Sequence, residues 1–158
     1  MDSPKPSDAV IAIAEATANK SPCQKSKRGV VIYQGYATVI TRGFNSPPEG
    51  WACDGSIACR RDCGKRCVHA EMRALRQLAG WHLAEGSYGP YMLLHIKVDA
   101  EGKAVPGGPP SCYQCSKEIL DCGMVAHVWL FEEMPTPHWV LYTAKDFHEA
   151  SLNNGGVV

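Results

Sequence analysis

The 158-residue sequence has no excess of charge of either sign, since sixteen Lys and Arg balance sixteen Asp and Glu. That absence weighs against a strongly electrostatic nucleic-acid binder, which carries a basic face, while leaving room for a local patch. No apolar run approaches the ~20 residues that cross a bilayer, so no membrane partner is expected. The opening Met1-Asp2-Ser3-Pro4-Lys5-Pro6 lacks the basic start and apolar core of a secretory signal. A cytoplasmic protein is therefore the expectation. There is no internal repeat, no low-complexity block and no sign of a second domain, so residues 1–158 read as one domain with a Cys-rich loop at 46–67.

What the chain has in quantity is cysteine, eight in all. With no secretory signal and a histidine among them, they read as metal ligands in preference to a disulfide framework. His69-Ala70-Glu71 is followed some forty residues on by Cys112-Tyr113-Gln114-Cys115. One imidazole and two thiolates make three zinc ligands, which leaves a coordination position open for water, as in catalytic zinc sites. Glu71 is then a carboxylate beside the metal that need not touch it, suited to moving a proton. The bland alternative for Glu71 is an acidic residue placed by a helix macrodipole. Cys112 and Cys115, three apart at a helix start, face one side of its first turn. The free N–H groups there favour thiolates.

Around these motifs the patterning predicts alternating elements. Ser7 caps a helix to about Asn19; Gly29–Tyr33 and Tyr36–Thr41 are strands joined by a tight Gln34-Gly35 turn. Cys67 to about Ala79 is helical, with Gly80 as its stop. Tyr91–Val98 is a strand, Ser111 caps a helix ended by Gly123, and Ala126–Phe131 and Trp139–Tyr142 are strands before a helix over Ala144–Leu152. The strands on either side of the Ser111 helix should be parallel. The short link before Trp139 requires an antiparallel partner, because a parallel crossover needs a dozen residues or more. The fold class is α/β.

His-x-Glu followed by Cys-x-x-Cys resembles the signature of zinc-dependent nucleobase deaminases. The sequence is most similar to the cytidine and deoxycytidylate deaminase superfamily, especially its deoxycytidylate branch. The likeness is carried by Gly43-Phe44-Asn45-Ser46-Pro47-Pro48, Cys67-Val68-His69-Ala70-Glu71-Met72-Arg73-Ala74-Leu75, Pro110-Ser111-Cys112 with Cys115, and Cys122-Gly123-Met124-Val125. It implies a three-layer α/β/α domain with a mixed central sheet of about five strands. It also implies zinc on His69, Cys112 and Cys115, with Glu71 as proton shuttle. The implied reaction is hydrolytic deamination of a cytosine-type nucleotide or nucleoside, dCMP to dUMP first, in a homo-oligomer. Asn45 and the Ala70 backbone fall where the family holds its substrate. The chain departs from the branch at Ser111, which separates Pro110 from Cys112, at Arg73 in place of asparagine, and in the short link before Trp139. Other readings are deamination of another base or of a base within single-stranded nucleic acid, and a zinc-stabilised binding protein without activity.

Four further cysteines, Cys53, Cys59, Cys63 and Cys67, lie in the loop and are candidates for a second, structural zinc. Cys23 and Cys122 read as small core residues. Arg60, Arg61, Lys65 and Arg66 form a basic cluster that is either a solvated loop face or a contact for phosphate. Ser111 and Trp51 are candidate substrate contacts, Trp51 by stacking on a base. His82, His95, His127, His138 and His148 have no paired spacing and read as structural or exposed.

Overall fold

A computed structural model of the chain describes residues 3–86 and 89–155. Its elements run α1 (Asp8–Ala18), β1 (Lys27–Gln34), β2 (Thr38–Phe44), α2 (Ile57–Arg61), α3 (Cys63–Arg66), α4 (Ala70–Glu85), β3 (Tyr91–Val98), β4 (Ala104–Val105), α5 (Tyr113–Cys122), β5 (Val125–Glu132), β6 (His138–Thr143) and α6 (Ala144–Asn154). The strands form one sheet in the order β2-β1-β3-β5-β6, with two-residue β4 attached to β3. β3 and β5 are parallel across the α5 connection, and β5 and β6 are antiparallel, as the connection lengths require.

Alternation along the strands divides the core in two. Val30, Ile32, Leu93 and Val128 pack with Ala70, Ala74 and Leu78 of α4 and Ile119 of α5 on one face. Val31, Tyr33, Leu94 and Ile96 pack with Val10, Ala14 and Ala18 of α1 on the other. Central strands buried on both faces read as near-continuous apolar runs, which explains Gly-Val-Val-Ile-Tyr in β1 and Tyr-Met-Leu-Leu in β3. The expected three-layer α/β/α arrangement with a mixed sheet is observed.

Four local expectations are corrected. α4 passes through Gly80 and ends at Gly86, whose φ of +67° is left-handed; packing of Ala74 and Leu78 outweighs the ~1 kcal/mol helix penalty of one internal glycine. The β1–β2 connection is Gly35-Tyr36-Ala37, with Gly35 at φ +59°, and not a two-residue turn. The Cys-rich stretch at 46–67 is not all loop, because α2 and α3 form within it. The N-cap of α5 is Cys112, whose sulfur accepts from the Cys115 N–H, and not Ser111.

Two close approaches set the position of α4. A Cβ on Gly43 would lie 2.4 Å from the Ala70 carbonyl oxygen and 2.6 Å from the Ala74 nitrogen, so only glycine lets the helix start rest on β2. Ser46 and Val68 also exchange backbone hydrogen bonds of 3.2 and 2.8 Å, which ties the loop after β2 to the residue before His69.

Candidate active site

His69 is the N-cap residue of α4 and makes no side-chain cap, so its ring is free to turn toward α5. The structure brings His69, Cys112 and Cys115 together, with all three ligand atoms within 4.8 Å of one another. His69 Nδ1 lies 3.2 Å from Cys115 Sγ and 3.3 Å from Cys112 Sγ, and the two sulfurs are 3.1 Å apart. The other ring nitrogen, Nε2, meets the Gly64 carbonyl at 3.3 Å. A carbonyl accepts only, so Nε2 carries a proton, and Nδ1 is the ring atom turned toward the two sulfurs.

The protons in this cluster are unevenly held. The hydrogen bond between the Cys112 and Cys115 sulfurs, together with His69 and the Cys115 N–H, lowers the Cys112 thiol to about 5 against its burial. The same hydrogen bond and burial raise Cys115. Contact with Cys112 raises His69 to about 9. Donors crowded this closely share protons where a divalent cation would take their place, because metal ligands must be deprotonated. The donor set therefore fits zinc, at bond lengths of ~2.0–2.1 Å to nitrogen and ~2.3 Å to sulfur.

Glu71, in the first turn of α4, is 5% exposed. Its carboxyl stays below the ordinary range. Burial opposes that, but His95, its own backbone N–H, His69 and Arg28 prevail. A cavity of about 940 Å³ opens over the cluster, walled by His69, Cys112, Cys115 and Ser111 and by Arg61, Lys65, Arg76 and Lys117, with Asp62 and Glu118 as its acids. Glu71 is not among the residues that line this cavity.

The other sequence candidates separate. Asn45 is buried, and both ends of its amide are engaged: Oδ1 accepts from the Arg28 N–H and Nδ2 donates to the Ser26 carbonyl, each at 2.8 Å. It holds the start of β1 against the loop. Ala70 is fully buried. Trp51 is exposed and walls a second cavity of about 240 Å³ with Pro47, Pro48, Cys53, Cys59 and Cys67. Arg61 and Arg66 both pair with Asp62, while Arg60 bonds the Gly55 carbonyl. Arg73 clamps the loop by donating to the Ser46 and Pro47 carbonyls.

The remaining thiols gather differently from the sequence expectation. Cys23, Cys63 and Cys67 place their sulfurs within 4.8 Å of one another. Cys53 and Cys59 pair at 3.7 Å, and Cys53 also acts on Cys23. Cys23 is thus part of the thiol cluster and not merely a core filler; the turn after α1 brings it beside the Cys-rich loop. Cys122 borders the α4-side core. Cys23 and His95 are the residues that sequence reasoning missed. The one available signal for His95 was a polar residue following Tyr91 and Leu93 in the same strand row.

The fold has known counterparts. The dCMP deaminase of the cyanophage S-TIM5 in apo form superposes with a TM-score of 0.58 at 21% identity, covering 94% of this chain and 90% of that one. The same enzyme in complex with dCMP and dUMP gives 0.57 at 22%, covering 92% and 88%. A cytidine deaminase from Burkholderia pseudomallei gives 0.56 at 19%, covering 88% and 93%. No family model and no curated protein matches the sequence. The fold is that of the cytidine and deoxycytidylate deaminases.

Proposed function

We propose that this protein is a zinc-dependent hydrolytic deaminase of a cytosine-type nucleotide or nucleoside, with dCMP to dUMP as its first candidate reaction. The observation that carries the proposal is the buried Glu71 carboxylate, which acts electrostatically on His69 and Cys115 of the His69–Cys112–Cys115 cluster at the starts of α4 and α5. Zinc held by those three side chains would supply a Lewis acid that eases ionisation of water near neutral pH. Glu71 takes a proton from the attacking water and delivers it to the departing amino group, so that the amidine and water give a carbonyl and ammonia. A purely structural metal would need no such carboxylate, which weighs against an inactive binding protein.

The branch choice is supported by the S-TIM5 enzyme, whose structure was determined with dCMP and dUMP. The cations Arg61, Lys65, Arg76 and Lys117 on the cavity wall suit a phosphate. The cavity lies near the upper end of ligand-pocket sizes, ~300–1,000 Å³, which favours a base within single-stranded nucleic acid as the second reading. The thiol cluster is proposed to hold a second, structural zinc, now with Cys23 among its ligands. Single-domain organisation and a homo-oligomer in the cytoplasm complete the proposal. Among the described residues no helix is long and apolar enough to cross a membrane.

The test is ammonia release from nucleosides, mononucleotides and single-stranded oligonucleotides, repeated across a salt series. A mononucleotide enzyme shows a weak salt dependence, and a polynucleotide enzyme loses affinity steeply. No turnover on any cytosine-containing compound, with zinc bound, rejects the deaminase reading.

A further inference from the structure

On β3, alternate residues face the α4 side of the sheet. Tyr91 and Leu93 are fully buried there and pack with Ala70, Ala74 and Leu78. The next residue in that row is His95, a polar side chain directly after fully buried Leu93. Its Nδ1 lies 3.1 Å from Glu71 Oε1, and the two side chains are only 14% and 7% exposed. Its Nε2 is buried and has no hydrogen-bond partner among the described residues. A buried nitrogen left unsatisfied costs about 1–3 kcal/mol, and Leu or Val would fill the row without that cost. The contact with Glu71 is what this imidazole has in return.

We infer that His95 is a positioning residue, which holds one oxygen of the Glu71 carboxylate so that the other is kept aimed at the reacting atoms. The inference rests on the deaminase reading for its purpose, but the contact stands without it. A proton shuttle must present its oxygen at one place through two transfers, and misplacement by ~1 Å can cost on the order of a hundredfold in rate. Glu71 has three side-chain torsions and no other side chain bonding its carboxylate among the described residues. A carbonyl or hydroxyl is not what holds it; an imidazole N–H from the rigid centre of the sheet is. Burial disfavours the charged imidazole, which leaves a neutral ring whose single proton sits on Nδ1, facing Glu71, with Nε2 bare.

Two variants and one spectrum test this in the full-length zinc-loaded protein. His95→Leu fills the row but offers no N–H. His95→Asn places an amide N–H close to the former Nδ1. The expectation is that His95→Leu lowers kcat by on the order of a hundredfold, with KM and zinc content unchanged, and that His95→Asn recovers most of the loss. In the ¹⁵N spectrum of the wild-type protein, His95 should be protonated at Nδ1 and bare at Nε2, and Glu71→Ala should alter that signature. Wild-type kcat in zinc-loaded His95→Leu, or no difference between the Leu and Asn variants, overturns the inference. So does a wild-type spectrum with the proton on Nε2, which judges the contact even where no variant folds. Absence of turnover in the wild type, with the expected spectrum, overturns the deaminase reading and leaves the His95–Glu71 contact standing.

Discussion

Glu71 and His95 are two titratable side chains buried against each other, and both titrate below their ordinary values of 4.5 and 6.5. The unfolded chain therefore takes up protons before the folded one does, first at His95 and then at Glu71. Stability is present above pH 6.5 and is lost as pH falls through 6.5 and then 4.5. The urea midpoint should decline over that window, and His95→Leu should flatten its upper part; a midpoint that rises on acidification contradicts the assignment. At this scale the sequence was partly legible. His69, Cys112 and Cys115 sit in short motifs whose spacing pointed to a shared cluster, and the structure brings them together. His95 and Cys23 do not, because each reaches its cluster through tertiary packing: His95 from the middle of β3 to α4, and Cys23 from the turn after α1 to α3. Asn45 shows the converse, a motif residue whose amide is engaged with the backbone of Ser26 and Arg28.

The elements are held in register by contacts that local patterning shows only in part. Gly43→Ala should force α4 off β2, since the new methyl would meet the Ala70 and Ala74 backbone. Overpacking of this kind costs about 1–3 kcal/mol, and the shift would carry His69 and Glu71 with it. Chemical denaturation and kcat should fall together, and unchanged stability would contradict the close approach. α3 joins the two thiol-bearing sites, for Cys63 belongs to one cluster while the neighbouring Gly64 carbonyl holds His69 Nε2. With the thiol cluster proposed to hold a structural zinc, Cys63→Ser should reduce zinc content from two to one per chain. It should also weaken the remaining site by about 10–100-fold, as loss of an outer-shell partner does. A single zinc in the wild type contradicts this arrangement. The order of the main elements followed from patterning, and the antiparallel β5–β6 pair from the short link between its strands. The end of α4 and strand β4 did not, since packing overrode a glycine in one case and two residues carry no periodicity in the other.

For the whole molecule, a net charge of zero conceals a local imbalance, four cations against two acids on the wall of the larger cavity. Arg76→Ala should raise KM for a nucleotide by on the order of tenfold, the loss of one charge-assisted hydrogen bond, and leave KM for the nucleoside unchanged. Equal effects on both would remove the phosphate from that wall. The sheet places β3 beside β5, and α4 and α5 on one face, so that two helix starts forty residues apart converge. The central claim is that this convergence is built for hydrolytic deamination, with Glu71 moving the proton. Its most direct measurement is ammonia and uracil-product formation from dCMP and cytidine by wild-type and Glu71→Gln proteins, with zinc counted in both. The account predicts equal amounts of the two products from the wild type, a rate lower by about 10²–10⁴-fold in Glu71→Gln, and the same zinc content. Zinc-loaded wild type that releases no ammonia, or a Glu71→Gln protein that keeps its rate, would contradict it.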